Sequence, residues 1–146
     1  MQITSRFTIA VHIITCIDYF KEEQKVTSEF LAGSVGANPV IIRTVISKLK
    51  AAGIVITSQG SSGASLAKPL DQITFYDIYK VLDCIDETGL FHFHENPNAS
   101  CPVGRNIHAA MDEKLAEIQT SMEAQMKQIT LADVVSDTRN RILAEV

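Results

Sequence analysis

Apolar side chains recur near the start of the chain as Ile3, Phe7, Ala10, Ile14 and Ile17, at steps of four and three residues. That spacing puts them on one face of a helix and predicts one from about Thr4 to Phe20. Ile9, Val11 and Ile13 make the opposite side apolar as well. A helix with two greasy faces is expected to be covered twice, once by its own domain and once by a second subunit.

The next segment reads as two helices joined by a short turn. Thr27 or Ser28 caps a helix through about Val35, with Phe30, Leu31 and Val35 as its apolar face. Gly36 ends it, and Asn38 caps a second helix with Pro39 at its first position, where no amide donor is needed. Val40, Ile41, Ile42, Val45, Ile46 and Leu49 follow at helical spacing until Gly53. Two helices around a glycine-containing turn form a helix-turn-helix. After Gly53 the period changes from helical to alternating. Residues Ile54 to Ser58 read as a strand, Gln59 to Gly63 as a turn, and Ala64 to Lys68 as the returning strand. A hairpin directly after the second helix is the wing of a winged helix.

Beyond the wing, Thr74 and Asp77 form a capping box that opens a helix to about Ile85. Residues Glu87 to Ser100 read as a loop. A long helix is expected from Pro102 onward, with Ile107, Met111, Leu115, Ile118, Met122, Met126 and Ile129 as its stripe. The spacing repeats every eleven residues, which keeps the stripe on one face of a nearly straight helix. A stripe of this length predicts a subunit interface; an intrachain core helix would carry a similar pattern. Thr130 caps a last short helix with a fraying tail. The fold class is therefore mostly α with a small β-hairpin wing: a winged helix-turn-helix plus a long dimerisation helix. The expected division is residues 1–85 for the DNA-binding domain, 86–103 for a loop with sensor potential, and 104–146 for the dimerisation helix and tail.

Composition supports a single core. The chain has 146 residues, 46% of them apolar. No run of about 18 apolar residues is present, and the start lacks a basic leader with a small-residue cleavage site. No membrane partner and a cytoplasmic location are expected. The net charge of −4 is unusual for a nucleic-acid binder, but its distribution changes the picture. Up to Leu70 there are seven basic and four acidic side chains; beyond it there are six basic and thirteen acidic ones. Between Phe30 and Leu70 there is no acid, against Arg43, Lys48, Lys50 and Lys68. An acid-free stretch of this kind can hold a phosphate backbone; chance asymmetry in a small protein would look the same.

A helix-turn-helix inserts its second helix into the major groove, N-terminal end first. Asn38, Arg43, Thr44 and Ser47 are the candidates for base contact, with the Arg43 fork suited to a guanine edge. Lys48 and Lys50 are expected at phosphates. Gln59, Ser61 and Lys68 of the wing are expected by the backbone or minor groove.

The chain resembles the Rrf-two family of bacterial transcription regulators over almost its whole length. The resemblance rests on Ser5 to His12, on Asn38-Pro39-Val40, on Leu49 to Val55, on the wing Gly60 to Leu66, and on Glu95 to Gly104. It implies a homodimeric winged-helix regulator, usually a repressor, with the long helix as the dimer helix. Two positions depart from the family. Well-known members hold an iron–sulfur cluster on three cysteines in the loop before the dimer helix, whereas here the loop has only Cys101; Cys16 and Cys84 lie elsewhere. The cluster is not carried over, and neither a cofactor nor a metal is expected. The wing-tip arginine common in the family is replaced by Gln59.

Three widely spaced cysteines form neither a CxxC pair nor an even set, which argues against a disulfide framework or a thiolate zinc site. Cys101 precedes Pro102 and would sit beside the start of the long helix, where a thiolate is favoured. It is either an oxidant or electrophile sensor or a capping cysteine without chemistry. His92, His94 and Cys101 could meet around a metal, but their spacing matches no zinc signature, and solvated loop histidines are the plainer reading. An enzyme would need Cys101 with His94 or His108 and a third orienting group, which nothing supplies. The expected function is a sequence-specific transcription regulator, not an enzyme. It would act as a homodimeric repressor on an inverted-repeat operator in double-stranded DNA, responsive to a small molecule or an oxidant. The alternative is a winged-helix protein-interaction module.

Overall fold

The computed structural model describes residues 3–58, 63–85 and 89–146. In chain order the elements are α1 (Ser5–Phe20), α2 (Ser28–Val35), α3 (Pro39–Ala51), β1 (Val55–Thr57), β2 (Ala64–Leu66), a 3-10 turn (Leu70–Gln72), α4 (Phe75–Val81), α5 (Ile107–Met126) and α6 (Leu131–Ala144). The two strands pair antiparallel, with Val55 opposite Leu66 and Ile56 opposite Ser65.

α1 is the axis of the molecule because it is apolar all round. Ala10, Ile13, Ile14 and Ile17 are fully buried, and α2, α3, α4, β2 and α6 all pack on the helix. Its second face, expected to meet another subunit, meets α6 of the same chain. The expected short, fraying terminal helix is in fact 14 residues long, and its Leu131 and Val135 are buried, Leu131 in the core cluster around α1. Asp18 on α1 receives Arg139 Nη2 at 2.9 Å and Lys21 Nζ at 3.2 Å. Burial alone would raise the Asp18 carboxyl pKa; the two cations outweigh it and hold the carboxyl below its ordinary value.

Local capping sets the turn between α2 and α3. Thr27 Oγ1 accepts from the Phe30 amide at 3.2 Å. Gly36 stops α2 at φ 75°, and its N–H returns to the Ala32 carbonyl. Asn38 Oδ1 accepts from the Val40 amide at 2.8 Å, with Pro39 opening α3. The wing is anchored by Gly63, which sits at φ 78° with its Cα against the Val26 backbone; a Cβ there would lie 2.7 Å from the Val26 carbonyl oxygen.

The capping box read at Thr74 with Asp77 is present, and the cap at Thr130 is a second such box, closed by Asp133. The starts of α4 and α6 lie side by side, joined by Phe75 N–H to Ile129 O at 2.9 Å and Leu131 N–H to Ile73 O at 2.8 Å. Two expected boundaries move. α4 ends at Val81, since Asp83 turns at φ 48°. α5 starts at Ile107 rather than Pro102, because residues 98–106 form successive tight turns. The Cys101 amide donates to Asn98 O at 3.1 Å, the Asn106 amide donates to Val103 O at 3.1 Å, and Asn98 Oδ1 accepts from Ser100 N–H at 2.9 Å.

The predicted α5 stripe is divided. Met122 and Met126 pack against the chain's own core, where Tyr79 Oη donates to Glu123 at 3.4 Å. Burial, reinforced by the Glu123 carboxylate, pushes the Tyr79 pKa up to about 12. Ile107, Met111 and Leu115 are half-buried, and Ile118 is 52% exposed.

Candidate nucleic-acid interface

α3 packs through Ile42, Val45, Ile46 and Leu49, all buried. The opposite face carries Val40, Arg43, Ser47 and Lys50, at steps of three, four and three residues, and all four are exposed. This face is polar and cationic toward its C-terminal end and apolar at its first turn. Val40 and Ile41, expected on the inner face, are exposed at 61% and 37%. Helical geometry separates the two: Val40 stands about 200° around the helix from Ile42, on the outer face, whereas Ile41 lies about 100° from Ile42, at the margin of the inner arc. Val40 is a candidate for this face that the sequence reading did not name. An apolar side chain there is suited to the methyl group of thymine.

The other candidates divide by their partners. Arg43 is exposed and sits 3.5 Å from Glu29 of α2, itself exposed. Asn38 spends its carbonyl oxygen on the cap and keeps its amide donors. Thr44 is half-buried and donates its hydroxyl to the Val40 carbonyl at 3.0 Å. Lys48 is half-buried on the flank toward Cys84, away from the Arg43 stripe. Lys68 follows β2, half-buried, and Ile56 and Ser65 form the exposed outer pair of the hairpin. Gln59 and Ser61 lie outside the described residues.

The region before α5 differs from expectation in its electrostatics. Cys101 lies six residues ahead of Ile107, half-buried in a turn, so the field of the α5 N-terminus does not act on it directly. His108 has both ring nitrogens engaged, Nδ1 with Asp112 at 3.0 Å and Nε2 with the His94 carbonyl at 3.0 Å. This arrangement leaves no imidazole nitrogen of His108 for a Cys–His pair. The Asp112 hydrogen bond raises the His108 pKa above its ordinary value. A raised folded pKa means that this contact contributes fully below the unfolded value and fades as pH rises through the folded one. Amide exchange at Phe93 to Glu95, corrected for intrinsic rates, is therefore expected to be slower at acidic than at alkaline pH, and Asp112→Asn should remove the difference. A flat profile in the wild type would contradict the linkage.

A helix-turn-helix with a hairpin wing and a solvent-facing stripe on its second helix defines a winged helix-turn-helix regulator of transcription. The model of the Rrf2 family, described as an iron-dependent transcriptional regulator, matches residues 3–137, and the chain belongs to that family. It is 40% identical over 135 residues to YwnA of Bacillus subtilis (strain 168), which bears the name of an HTH-type transcriptional regulator; the match covers 92% of this chain and 98% of YwnA. Among solved structures it is similar to a protein described as DNA-binding, at 35% identity and TM-score 0.68, covering 89% of this chain and 98% of that one. It is also similar to a transcriptional regulator from Lactobacillus plantarum, at 27% identity and TM-score 0.76, covering 92% and 90%.

The residues present do not suit the iron that the family description implies. Cys16 and Cys84 are buried in separate parts of the core, and burial raises both thiol pKa values, against the thiolate that a metal needs. Among the described residues no three His, Cys, Asp or Glu side chains gather, so His92, His94 and Cys101 do not form a ligand set. Among the described residues, no single helix is long and apolar enough to cross a membrane.

Proposed function

We propose that the chain is a cytoplasmic repressor without enzymatic activity that binds an inverted-repeat operator as a homodimer. The observation that carries this is the exposed stripe Val40, Arg43, Ser47 and Lys50 on α3. It combines an apolar residue at the first turn, a two-donor fork one turn later and a cation at the far end, the chemistry for bases first and phosphate last. Lys48 and Lys68 add phosphate attraction from the flanks, and Asn38 offers its amide at the leading edge. Gln59 and Ser61 belong to the proposed wing contact.

The test is recovery and sequencing of duplexes from a random pool. Enrichment of an inverted repeat is expected, and its half-site spacing would give the distance between recognition helices. Failure to enrich any sequence under reducing or oxidising conditions would sink the reading. A second reading, a wing that docks proteins, draws on the exposed apolar Val40, Ile41 and Ile56. Steep loss of duplex affinity with salt separates the two, since counterion release belongs to phosphate contact.

Dimerisation is assigned to the N-terminal part of α5, through Ile107, Met111, Leu115 and Ile118, with Met122 and Met126 anchoring that helix to its own core. Ile118→Asp is expected to shift the sedimenting species from dimer to monomer while leaving the helical signal intact. An unchanged dimer would remove this face from the interface. Any oxidant response is assigned to Cys101, the least buried of the three thiols. Diamide should then release DNA from the wild type and not from Cys101→Ser; release from both would acquit Cys101.

A further inference from the structure

The face of α6 that is not in the core forms one wall of a groove against α1. Val134, Thr138 and Ile142 recur every four residues on that wall and look across a cavity of about 400 Å³ toward Val11 and Phe20. This is the size of a small-molecule pocket, which is commonly apolar with a few convergent polar groups. Three of the polar side chains in the lining, from two helices, converge. Ser34 Oγ of α2 lies 2.9 Å from His12 Nε2 and 3.3 Å from Cys16 Sγ, both on α1. The threonines of the lining offer little more, because Thr8, Thr15 and Thr138 donate their hydroxyls to carbonyls of their own helices. Among the described residues, no Lys, Arg, Asp or Glu lines the cavity.

The geometry points to an effector site in this groove for an uncharged small molecule with an aromatic or short aliphatic body and one hydrogen-bonding head, seated against His12, Ser34 and Cys16. A carboxylate or ammonium would be desolvated there without a countercharge, so charged ligands are disfavoured. Ser34 is the second-last residue of α2, two positions before the Gly36 turn that leads into α3. A ligand that draws or pushes Ser34 tilts α2 on α1, and α2 carries the recognition helix packed against it. Occupancy of the groove therefore couples to operator affinity. This coupling rests on the reading of the chain as a DNA-binding repressor; the ligand site itself does not.

The test uses the full chain with benzyl alcohol as the neutral probe and benzoate as its charged counterpart. Benzyl alcohol at millimolar concentration is expected to shift the amide resonances of His12, Ser34, Val134 and Thr138. Benzoate should bind at least about tenfold more weakly, by the cost of an unpaired charge. Thr138→Trp fills the cavity and should abolish the shifts; Val134→Phe serves if that variant does not fold. Saturating benzyl alcohol should change operator affinity of the wild type by about fivefold or more and leave the filled variant unaffected. Equal binding of benzoate, or undiminished binding to a folded filled variant, would overturn the site. So would dissociation of a dimer by the filling substitution, because the groove would then seat a second copy. Probe binding with unchanged operator affinity would overturn the coupling alone. Absence of any duplex binding without probe would overturn the repressor reading, and the amide shifts would still judge the site.

Discussion

Leu131→Ala is expected to destabilise the whole winged-helix core by roughly 2–5 kcal/mol, the range for truncating a fully buried leucine. Leu131 lies at the start of α6, 15 positions before Val146. In this fold it is fully buried, at the first turn of α6, and its amide donates to Ile73 O at 2.8 Å. It therefore sits where α4, α6 and the 3-10 turn converge on α1. Alanine would remove most of the buried side chain, and the flanking backbone bonds resist the collapse that could fill the space. The loss should be cooperative, with one urea transition at a lower midpoint and an unchanged slope. A change below about 0.5 kcal/mol, the size of a neutral surface substitution, would mean that α6 is not part of the core. The Asp18–Arg139 pair binds the same two helices, and the low carboxyl pKa predicts that its contribution is present above the ordinary carboxylate value and lost as pH falls through the folded one.

Arg43→Ala should weaken operator binding by roughly 1–3 kcal/mol and relax selectivity at one base pair. An effect of this size requires Arg43 to be free to leave Glu29. Their 3.5 Å contact joins two exposed side chains, and such pairs contribute only about 0–1 kcal/mol. Breaking it on docking costs little, while the guanidinium gains two donors' worth of contact on a guanine edge. Glu29 is the nearest acid to the recognition stripe, so Glu29→Gln should strengthen binding several-fold at low salt and less at high salt. Quantitative binding to the selected operator and to single-base variants checks both. Unchanged affinity and selectivity in Arg43→Ala would show that α3 docks in another orientation.

What the sequence legibly carried was local. The caps at Thr27, Asn38, Thr74 and Thr130, the Gly36 stop and the change of period after Gly53 are each set by residues within a few positions of one another. Short-range hydrogen bonds and steric limits therefore determine them before any packing occurs. Together they prescribed the helix-turn-helix and the hairpin.

Tertiary structure decided what covers each apolar surface. Periodicity states that a face is apolar and says nothing of its partner. So the second face of α1 looked like a subunit interface until α6 took it, and the α5 stripe looked uniform until Met122 and Met126 joined the core. The outward position of Val40 follows from helical geometry alone, whereas Ile41 lies at the margin of the inner arc of α3, and packing decided its exposure. The late start of α5 has the same origin. Pro102 suits a helix start, yet the turns closed by Asn98, Cys101 and Val103 satisfy the local amides first. Gly104 permits this approach, since a Cβ at that position would collide with the Asn98 carbonyl. Burial is a property of the assembled surfaces, and no window of sequence contains both sides of a contact.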